Sequence, residues 1–315
     1  MTIIVTDGGI ETALTDRLEQ HLPEFAAFVL LDSAEGRIAL RAYYAPFLAV
    51  AREHDLPLVL DTPTWRANID WGDRLGYGVD DLARVNADAV AFVRELDEVE
   101  PTGAPDAAPE IIVNGCVGPR FDDFVGDERM SAHEAEEYHS AQVRALAEAG
   151  VDRVTSVTTL DAAEAIGVVR AAVAARVPAF VSFVVNADGM LADGSSIAEA
   201  IAEVDRETGS APEGYLINCA HPSEVATGLA RNAGAGELER IVGFRLNAAA
   251  TGDSGAGDEP RAFAEAELAL RELAPLAAVF GGCCGTDAPH IASLAALGRS
   301  DGIADDANEA PIKRG

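Results

Sequence analysis

The chain has 315 residues, of which 23 are basic and 53 acidic, so its formal net charge at pH 7 is −30. With 49% hydrophobic and 24% charged residues, the composition is that of a globular protein and excludes a chain that is disordered throughout. We find no apolar run of about eighteen residues and no basic leader, and the net charge would be repelled by phosphate backbones and anionic lipid. The sequence therefore predicts a soluble, cytoplasmic protein without nucleic-acid or membrane partners.

Eight short apolar runs of β type recur along the chain, and a stretch with helical periodicity follows each of them. Runs such as FVSFVV lack polar alternation, which is typical of parallel strands buried on both faces. Strands are predicted at 3–9, 57–65, 110–118, 152–159, 178–186, 215–220, 240–248 and 278–284. Helices between them include 33–55, 80–100, 131–150 and 162–177.

Eight successive βα units predict an α/β fold, a (β/α)8 TIM barrel that forms a single domain over residues 1–300, followed by a polar tail at 301–315. A doubly wound sheet is the alternative, but TDGGIET after the first strand is not the nucleotide fingerprint G-x-G-x-x-G. Helix starts are predicted at Ser33, at Asp80, and at Ser131, which lies three residues before Glu134; Gly150 is predicted to end a helix.

Four cysteines are too few and too unevenly spaced for a disulfide scaffold, and we expect all of them to be reduced. Cys116, Cys219, Cys283 and Cys284 each fall at the carboxyl end of a predicted strand, which is the catalytic face of such a barrel. The sixth and eighth strands are separated by one strand, so their Cα atoms should lie about 10 Å apart. Side chains aimed at the barrel axis from these strands can then converge on one ion.

Adjacent residues of a regular strand point to opposite faces, so Cys283 and Cys284 need a local departure from β geometry. The neighbouring Gly281, Gly282 and Gly285 allow backbone angles that turn both thiolates the same way. Three thiolates with a fourth position left open are typical of a catalytic Zn²⁺ site. Such a site carries a net charge near −1, which suits activation of an incoming thiol better than hydrolysis. The alternative is that the thiols simply fill the barrel end as small apolar groups.

Five segments span almost the whole length of the chain: DGGIET (7–12), NGCVGP (114–119), PAFVSFVVNADGMLADGSSIAEAI (178–201), LINCAHP (216–222) and FGGCCGTDAPHI (280–291). Together they are similar to the zinc-dependent homocysteine S-methyltransferase family. The resemblance implies a thiol methyltransferase of methionine biosynthesis in which Cys219, Cys283 and Cys284 bind Zn²⁺ and the ion activates the acceptor thiol. It places Asp7 at the amino group of the acceptor. It also matches Asn247, at the end of the seventh strand, to a family asparagine, and we predict a hydrogen bond from Asn247 to substrate.

The chain departs from the family pattern at three places. Val157-Thr158 stands where Glu-Thr is common, so Thr158 remains a predicted substrate contact but the acid that would share the amino group with Asp7 is missing. We therefore expect weak use of homocysteine, and improvement by Val157→Glu if that side chain points into the barrel. Cys116 replaces a common serine, and Thr-Pro-Thr at 62–64 replaces Thr-Asn-Thr.

The predicted partners are a small thiol acceptor and a self-contained sulfonium donor, S-methylmethionine or S-adenosylmethionine, because the length leaves no room for added cobalamin or folate modules. Two other functions stay open: a zinc hydrolase that uses Asp7 or Asp61 as base, and a zinc-binding barrel without catalysis. The sequence leaves the oligomeric state open.

Aromatic and histidine side chains offer further candidates. Trp65, Trp71 and Tyr77 follow the second strand, where they either cage a sulfonium donor by cation–π contact or pack a loop. Among the histidines, we expect a helix cap at His221, a loop-orienting hydrogen bond at His290, and surface positions at His133 and His139.

Overall fold

The computed structural model describes residues 2–98, 109–121, 129–253, 255 and 257–306. Eight parallel strands form a closed barrel in chain order, and the last strand pairs with the first. The prediction of a (β/α)8 barrel is confirmed. The strands are β1 Ile4–Thr6, β2 Leu58–Asp61, β3 Ile111–Val117, β4 Arg153–Thr159, β5 Ala179–Phe183, β6 Gly214–Asn218, β7 Ile241–Leu246 and β8 Val279–Gly282.

Helices follow the strands and form the outer layer of the barrel. Short 3-10 turns complete several connections, for example at Ala27–Asp32 and Gly236–Arg240. The helices are α1 Ile10–Asp16, α2 Ala34–His54, α3 Ile69–Arg74, α4 Val79–Glu98, α5 Ala132–Glu148, α6 Ala162–Ala175, α7 Ile197–Thr208, α8 Pro222–Arg231, α9 Pro260–Ala269 and α10 Ala288–Asp306. No helix in the described part of the chain is long and apolar enough to cross a lipid bilayer.

Helix α10 runs past residue 300, where the sequence placed the end of the domain, and residues 307–315 of the expected tail lie outside the described residues. The division at 300 therefore stays a prediction.

Side-chain caps set several of these helix boundaries. Ser131 and Glu134 form a reciprocal capping box at the start of α5, and the Ser33 hydroxyl accepts from the Gly36 N–H at 2.9 Å, as predicted. Gly150, with φ of +88°, follows the end of α5. The predicted helix start at Asp80 is wrong, because α4 begins one residue earlier, at Val79.

The apolar core lies between the barrel and its helices. Strand residues such as Val5, Leu58, Phe244 and Phe280 are fully buried, as expected of parallel strands covered on both faces. Helices α5 and α6 pack against each other, and this buries His139 completely against Glu164 of α6, with Nε2 and Oε1 3.0 Å apart. The prediction that His139 lies on the surface is therefore wrong, because helical periodicity alone did not show that this face of α5 meets a neighbouring helix.

Candidate metal centre and substrate cavity

Three cysteines meet at the carboxyl end of the barrel. Cys219 directly follows β6, and Cys283 and Cys284 directly follow β8. The Sγ atom of Cys219 lies 2.8 Å from that of Cys283 and 3.9 Å from that of Cys284, and all three lie within 4.8 Å of one another. The predicted convergence of these thiols is confirmed, and we call them the three-cysteine cluster.

The backbone explains how the three thiols turn toward one point. Strand β8 ends at Gly282, so Cys283 and Cys284 belong to a turn, where strand alternation no longer applies. Cys219 has a φ of +53°, a left-handed conformation that is uncommon for a non-glycine residue and that redirects the chain after β6. Such strained residues persist only where the surroundings fix them, and they are frequent at functional sites.

The neighbouring glycines serve two different purposes. Gly285 has a φ of +75°, which is the conformational freedom that the sequence predicted. Gly281 and Gly282 instead permit close packing: a Cβ added to either would lie 1.9 Å from the hydroxyl of Thr6 or Thr286, respectively. These two glycines bring β8 against its neighbours, so they fix where the cysteine turn begins.

The donor set of the three-cysteine cluster fits Zn²⁺. All the cysteines are free, as predicted. A tetrahedral ion with Zn–S bonds of about 2.3 Å holds its sulfur ligands roughly 3.8 Å apart, which is within the spread of these three thiols. Three thiolates leave a fourth position for a substrate. Cys116 lines the same cavity but lies outside the cluster.

The thiols share their protons. Hydrogen bonding from Cys219 lowers the pKa of Cys283 well below its usual value, and the contact with Cys283 raises the pKa of Cys219. A single thiolate is thus stabilised first and discourages ionisation of its neighbours. A divalent cation removes this conflict because it favours the thiolate form of every ligand.

A cavity of about 80 Å³ adjoins the three-cysteine cluster. Its apolar wall includes Ile10, Phe25, Trp65 and Val157. The charged residues that line it, among those that the structure describes, are Glu11, Asp61 and Arg245. The opening is small and mixed in character, which suits a compact molecule with one reactive group and one or two polar groups.

Arg245 holds two buried carboxylates across the barrel. Its Nη2 atom donates to Oδ1 of Asp7 at 2.7 Å, and its Nη1 atom donates to Oδ2 of Asp61. The remaining oxygen of Asp7 accepts from the Asp61 backbone N–H at 3.3 Å, and that of Asp61 accepts from Asn114 at 2.7 Å. Burial by itself lowers the pKa of Arg245, but the two carboxylates more than offset this and keep the guanidinium charged. We call Asp7, Asp61 and Arg245 the arginine network.

The structure separates the three predicted substrate contacts. Thr158 lines the cavity, with a φ of +61° and its hydroxyl accepting from Asn218 at 2.9 Å. Asn247 does not line it and instead accepts the Cys284 N–H at 3.0 Å, so it supports the cysteine turn. Asp7 is 1% exposed and is not among the described residues that line the cavity. That Asp7 and Asn247 contact the acceptor stays a prediction, which these positions do not favour.

The aromatic residues after β2 do not form a shared cage at the cavity. Trp65 lines the cavity, whereas the described lining includes neither Trp71 nor Tyr77. The cation between the two indoles is the guanidinium of Arg66, whose central carbon lies 4.9 Å from the Trp65 ring and 3.9 Å from the Trp71 ring. Tyr77 packs edge-on against Phe28. Of the two alternatives, these contacts favour loop packing.

Two histidines near the barrel end have the structural roles that the sequence predicted. His221 caps α8, where its ring accepts from the Ser223 N–H, and its Nε2 atom lies 3.0 Å from Asp258. His290 contacts Asp287 at 2.6 Å and the Asp258 carbonyl at 3.1 Å, and so ties the loop after β7 to the start of α10.

Two cavity residues, Arg245 and Glu11, were not among the predicted contacts. An arginine inside the apolar run IVGFRL is a signal, because a charge in a buried strand requires buried partners, and the acids that end the first two strand runs are suitable ones. Glu11 gave no such signal, since a helix start does not show which first-turn side chain faces the barrel axis.

Comparison with known proteins agrees with this geometry. The sequence model of the family described as homocysteine S-methyltransferase matches residues 4–297. No curated protein sequence gives a significant match. Among solved structures, homocysteine methyltransferase MmuM from Escherichia coli in its metallated form has a TM-score of 0.75 and 21% identity, covering 94% of this chain and 96% of that chain. Its oxidised form gives 0.75 and 20%, and its apo form 0.68 and 20%, with the same coverage. At these identities the structures show the shared barrel.

Proposed function

The chain belongs to the homocysteine S-methyltransferase family, and on that basis we propose that it moves a methyl group from a sulfonium-type donor to homocysteine or a related small thiol. It is a thiol methyltransferase, and its donor is S-methylmethionine or S-adenosylmethionine. The observation that carries the proposal is the convergence of Cys219, Cys283 and Cys284 within 4.8 Å beside a cavity. These three residues would hold Zn²⁺.

When bound there, Zn²⁺ would supply the positive charge that keeps the acceptor sulfur in its thiolate form near neutral pH. The chain itself contributes position and exclusion of water. The turn after β8 and the left-handed Cys219 fix the thiols at one edge of the cavity. The apolar side chains of Trp65 and Val157 also line the cavity, where they leave little room for water to compete as a nucleophile.

The transfer is a direct displacement. The acceptor sulfur forms a bond to the methyl carbon while the bond from that carbon to the donor sulfur breaks, and the electron pair of the broken bond stays with the donor. The donor becomes a neutral thioether, and the proton of the acceptor thiol is released to solvent. Alignment of the two sulfur atoms with the methyl carbon supplies much of the acceleration in reactions of this type.

The size of the cavity favours small substrates. Its volume of about 80 Å³ is well below the roughly 300–1,000 Å³ of pockets that enclose drug-sized ligands. For the same reason S-methylmethionine fits better than a donor that carries a nucleoside.

A labelled-methyl assay tests the proposal. Zinc-loaded protein is incubated with homocysteine and either sulfonium donor carrying a trideuterated methyl group, and the thioether product is identified by mass spectrometry. We expect trideuteromethyl methionine from at least one donor, and its loss in Cys219→Ala. His133→Ala, at a side chain that is 77% exposed on α5, is the control and should retain activity. If zinc-loaded protein labels no thiol with either donor, the proposal is wrong.

A further inference from the structure

We propose that Glu11 is the residue that recognises the ammonium group of an amino-acid acceptor. The inference rests on the proposed function, since it concerns how the same cavity selects its thiol. An amino-acid thiol such as homocysteine carries one ammonium group. A buried ammonium requires a carboxylate partner, because an unpaired charge in a cavity is strongly disfavoured.

The arginine network does not supply this carboxylate. Both oxygens of Asp7 already accept hydrogen bonds, from Arg245 and from the Asp61 N–H, and the side chain is 1% exposed. Both oxygens of Asp61 are also engaged, by Arg245 and by Asn114. Each of these oxygens keeps a second lone pair, but the charge of Arg245 already offsets part of the negative charge of the two acids. An ammonium is therefore attracted less strongly there than by a carboxylate that has no guanidinium partner.

The wall of the cavity at β4 does not supply it either. Val157 lines the cavity at 8% exposure and presents only methyl groups. The neighbouring Thr158 is neutral, and its hydroxyl contacts Asn218. This side of the cavity therefore offers an ammonium no negative charge.

Glu11 is the remaining acid among the described residues that line the cavity. It lies in the first turn of α1, which is attached to the cysteine turn by a 3.0 Å hydrogen bond from the Gly9 N–H to the Cys283 carbonyl. Its carboxyl accepts a hydrogen bond from its own backbone N–H, and it forms no ion pair with any residue that the structure describes. Among the described acids that line the cavity, Glu11 is thus the one without a salt bridge, although the charge of Arg66 lowers its pKa.

The environment of Glu11 supports this role. Burial raises the pKa of its carboxyl to about 8, so its ionised form lacks sufficient stabilisation from the protein. A cationic substrate would supply that stabilisation. An amino-acid acceptor could place its sulfur at the three-cysteine cluster and its ammonium group at Glu11. One molecule would then occupy the open ligand position and also neutralise the Glu11 carboxylate.

The test compares two thiols that differ in the amino group alone, homocysteine and 4-mercaptobutanoate. Loss of one charge-assisted hydrogen bond is worth roughly ten- to a hundred-fold in affinity. We expect Glu11→Gln to raise KM for homocysteine by about that factor, with kcat changed far less, and to leave KM for 4-mercaptobutanoate within about threefold. Asp16→Asn, the same change at an exposed position of α1, is the matched control and should leave both values unchanged.

A binding measurement separates recognition from turnover. L-Methionine, which carries the same ammonium group, should bind the Glu11→Gln protein roughly ten- to a hundred-fold more weakly in a calorimetric titration without donor. The inference is overturned if Glu11→Gln affects both thiols equally. It is also overturned if Glu11→Gln leaves the KM for homocysteine unchanged. This holds whatever effect Val157→Glu has on the use of homocysteine. Absence of methyl transfer to either thiol by the unmodified protein would instead reject the proposed function.

Discussion

The arginine network and the three-cysteine cluster form two halves of the barrel end, and they differ in how many of their polar groups have partners within the protein. In the arginine network, every carboxylate oxygen of Asp7 and Asp61 has a donor within the protein. In the three-cysteine cluster, the thiols contact mainly one another and compete for ionisation. The carboxylates of the first half are therefore satisfied within the protein, and the buried Nε atom of Arg245 is the unpaired donor of this network among the described atoms. The second half is a group of thiols that could hold a metal ion. A polar residue at the end of a barrel strand is thus not sufficient evidence of a binding role; the number of its unmet partners is more informative.

The largest expected effect concerns the incomplete half. Purified without chelator, the protein should contain about one zinc per chain, and Cys219→Ala or Cys283→Ala should lose most of it, because two thiolates hold the ion far less well than three. Metal analysis by inductively coupled plasma mass spectrometry measures this directly. Cys116→Ser is the matched control: it removes the fourth thiol of the same cavity and should retain the zinc. Full retention in both alanine variants would contradict the assignment.

The second prediction concerns the complete half. Arg245→Met should lower the free energy of unfolding by about 3–5 kcal/mol, because it leaves two buried carboxylates without their counter-ion. Urea unfolding followed by circular dichroism measures the change. The control is Arg261→Ala, which breaks an exposed pair with Glu265 and should cost less than about 1 kcal/mol. Equal losses in the two variants would show that the network is not a structural element.

A third buried acid, Glu267, sharpens the comparison because no arginine forms a salt bridge with it among the described residues. Glu267 is fully buried, accepts the Gly281 N–H at 3.3 Å, and forms no ion pair with a described residue. Burial raises its pKa well above the usual 4.5, so it favours the fold at low pH and opposes it progressively as pH rises above 4.5 toward the folded value. Glu267→Gln should raise the melting temperature at pH 7 and make its fall between pH 5 and 8 less steep. Each unit by which folding raises the pKa of Glu267 costs about 1.4 kcal/mol of the free energy of unfolding once the pH exceeds the folded value, and the variant removes this cost. Identical pH profiles for variant and unmodified protein would refute this.

The smallest expected effect arises outside the barrel end. With a net charge of −30, the acidic side chains repel one another at low ionic strength and destabilise the folded state. Salt screens this repulsion, because the Debye length falls from about 30 Å at 0.01 M salt to about 3 Å at 1 M. The melting temperature should therefore rise in molar sodium chloride. The contrast between the two halves should persist, since buried pairs are screened much less than exposed ones. A flat or falling melting temperature would contradict this interpretation of the acidic surface.

The fold and the cysteine cluster could be predicted because their signals are local. An apolar run is visible in a few residues, and Cys219, Cys283 and Cys284 mark the ends of runs that a parallel barrel must bring to one face. The order of the strands then follows from chain order. Nothing beyond strand identity and direction was needed to bring these thiols together.

The polar half of the site could not be predicted in the same way. Whether Asp7 faces a substrate or Arg245 depends on side chains from β1, β2 and β7 meeting across the axis, and no single segment contains that information. The position of Glu11 depends on the rotation of α1, a short helix without a side-chain cap. The role of Gly281 depends on Thr6, near the other end of the sequence.

The closure of the barrel also has a consequence for the order in which the protein is made. Strand β8 is the last to leave the ribosome, it pairs with β1, the first, and two of the three cysteine ligands follow it directly. A chain interrupted between Cys219 and Cys283 has Cys219 but neither of its partners. The three-cysteine cluster therefore cannot be assembled before Cys284 has been made, and a metal ion held by all three thiols would report that synthesis has passed the last strand of the barrel.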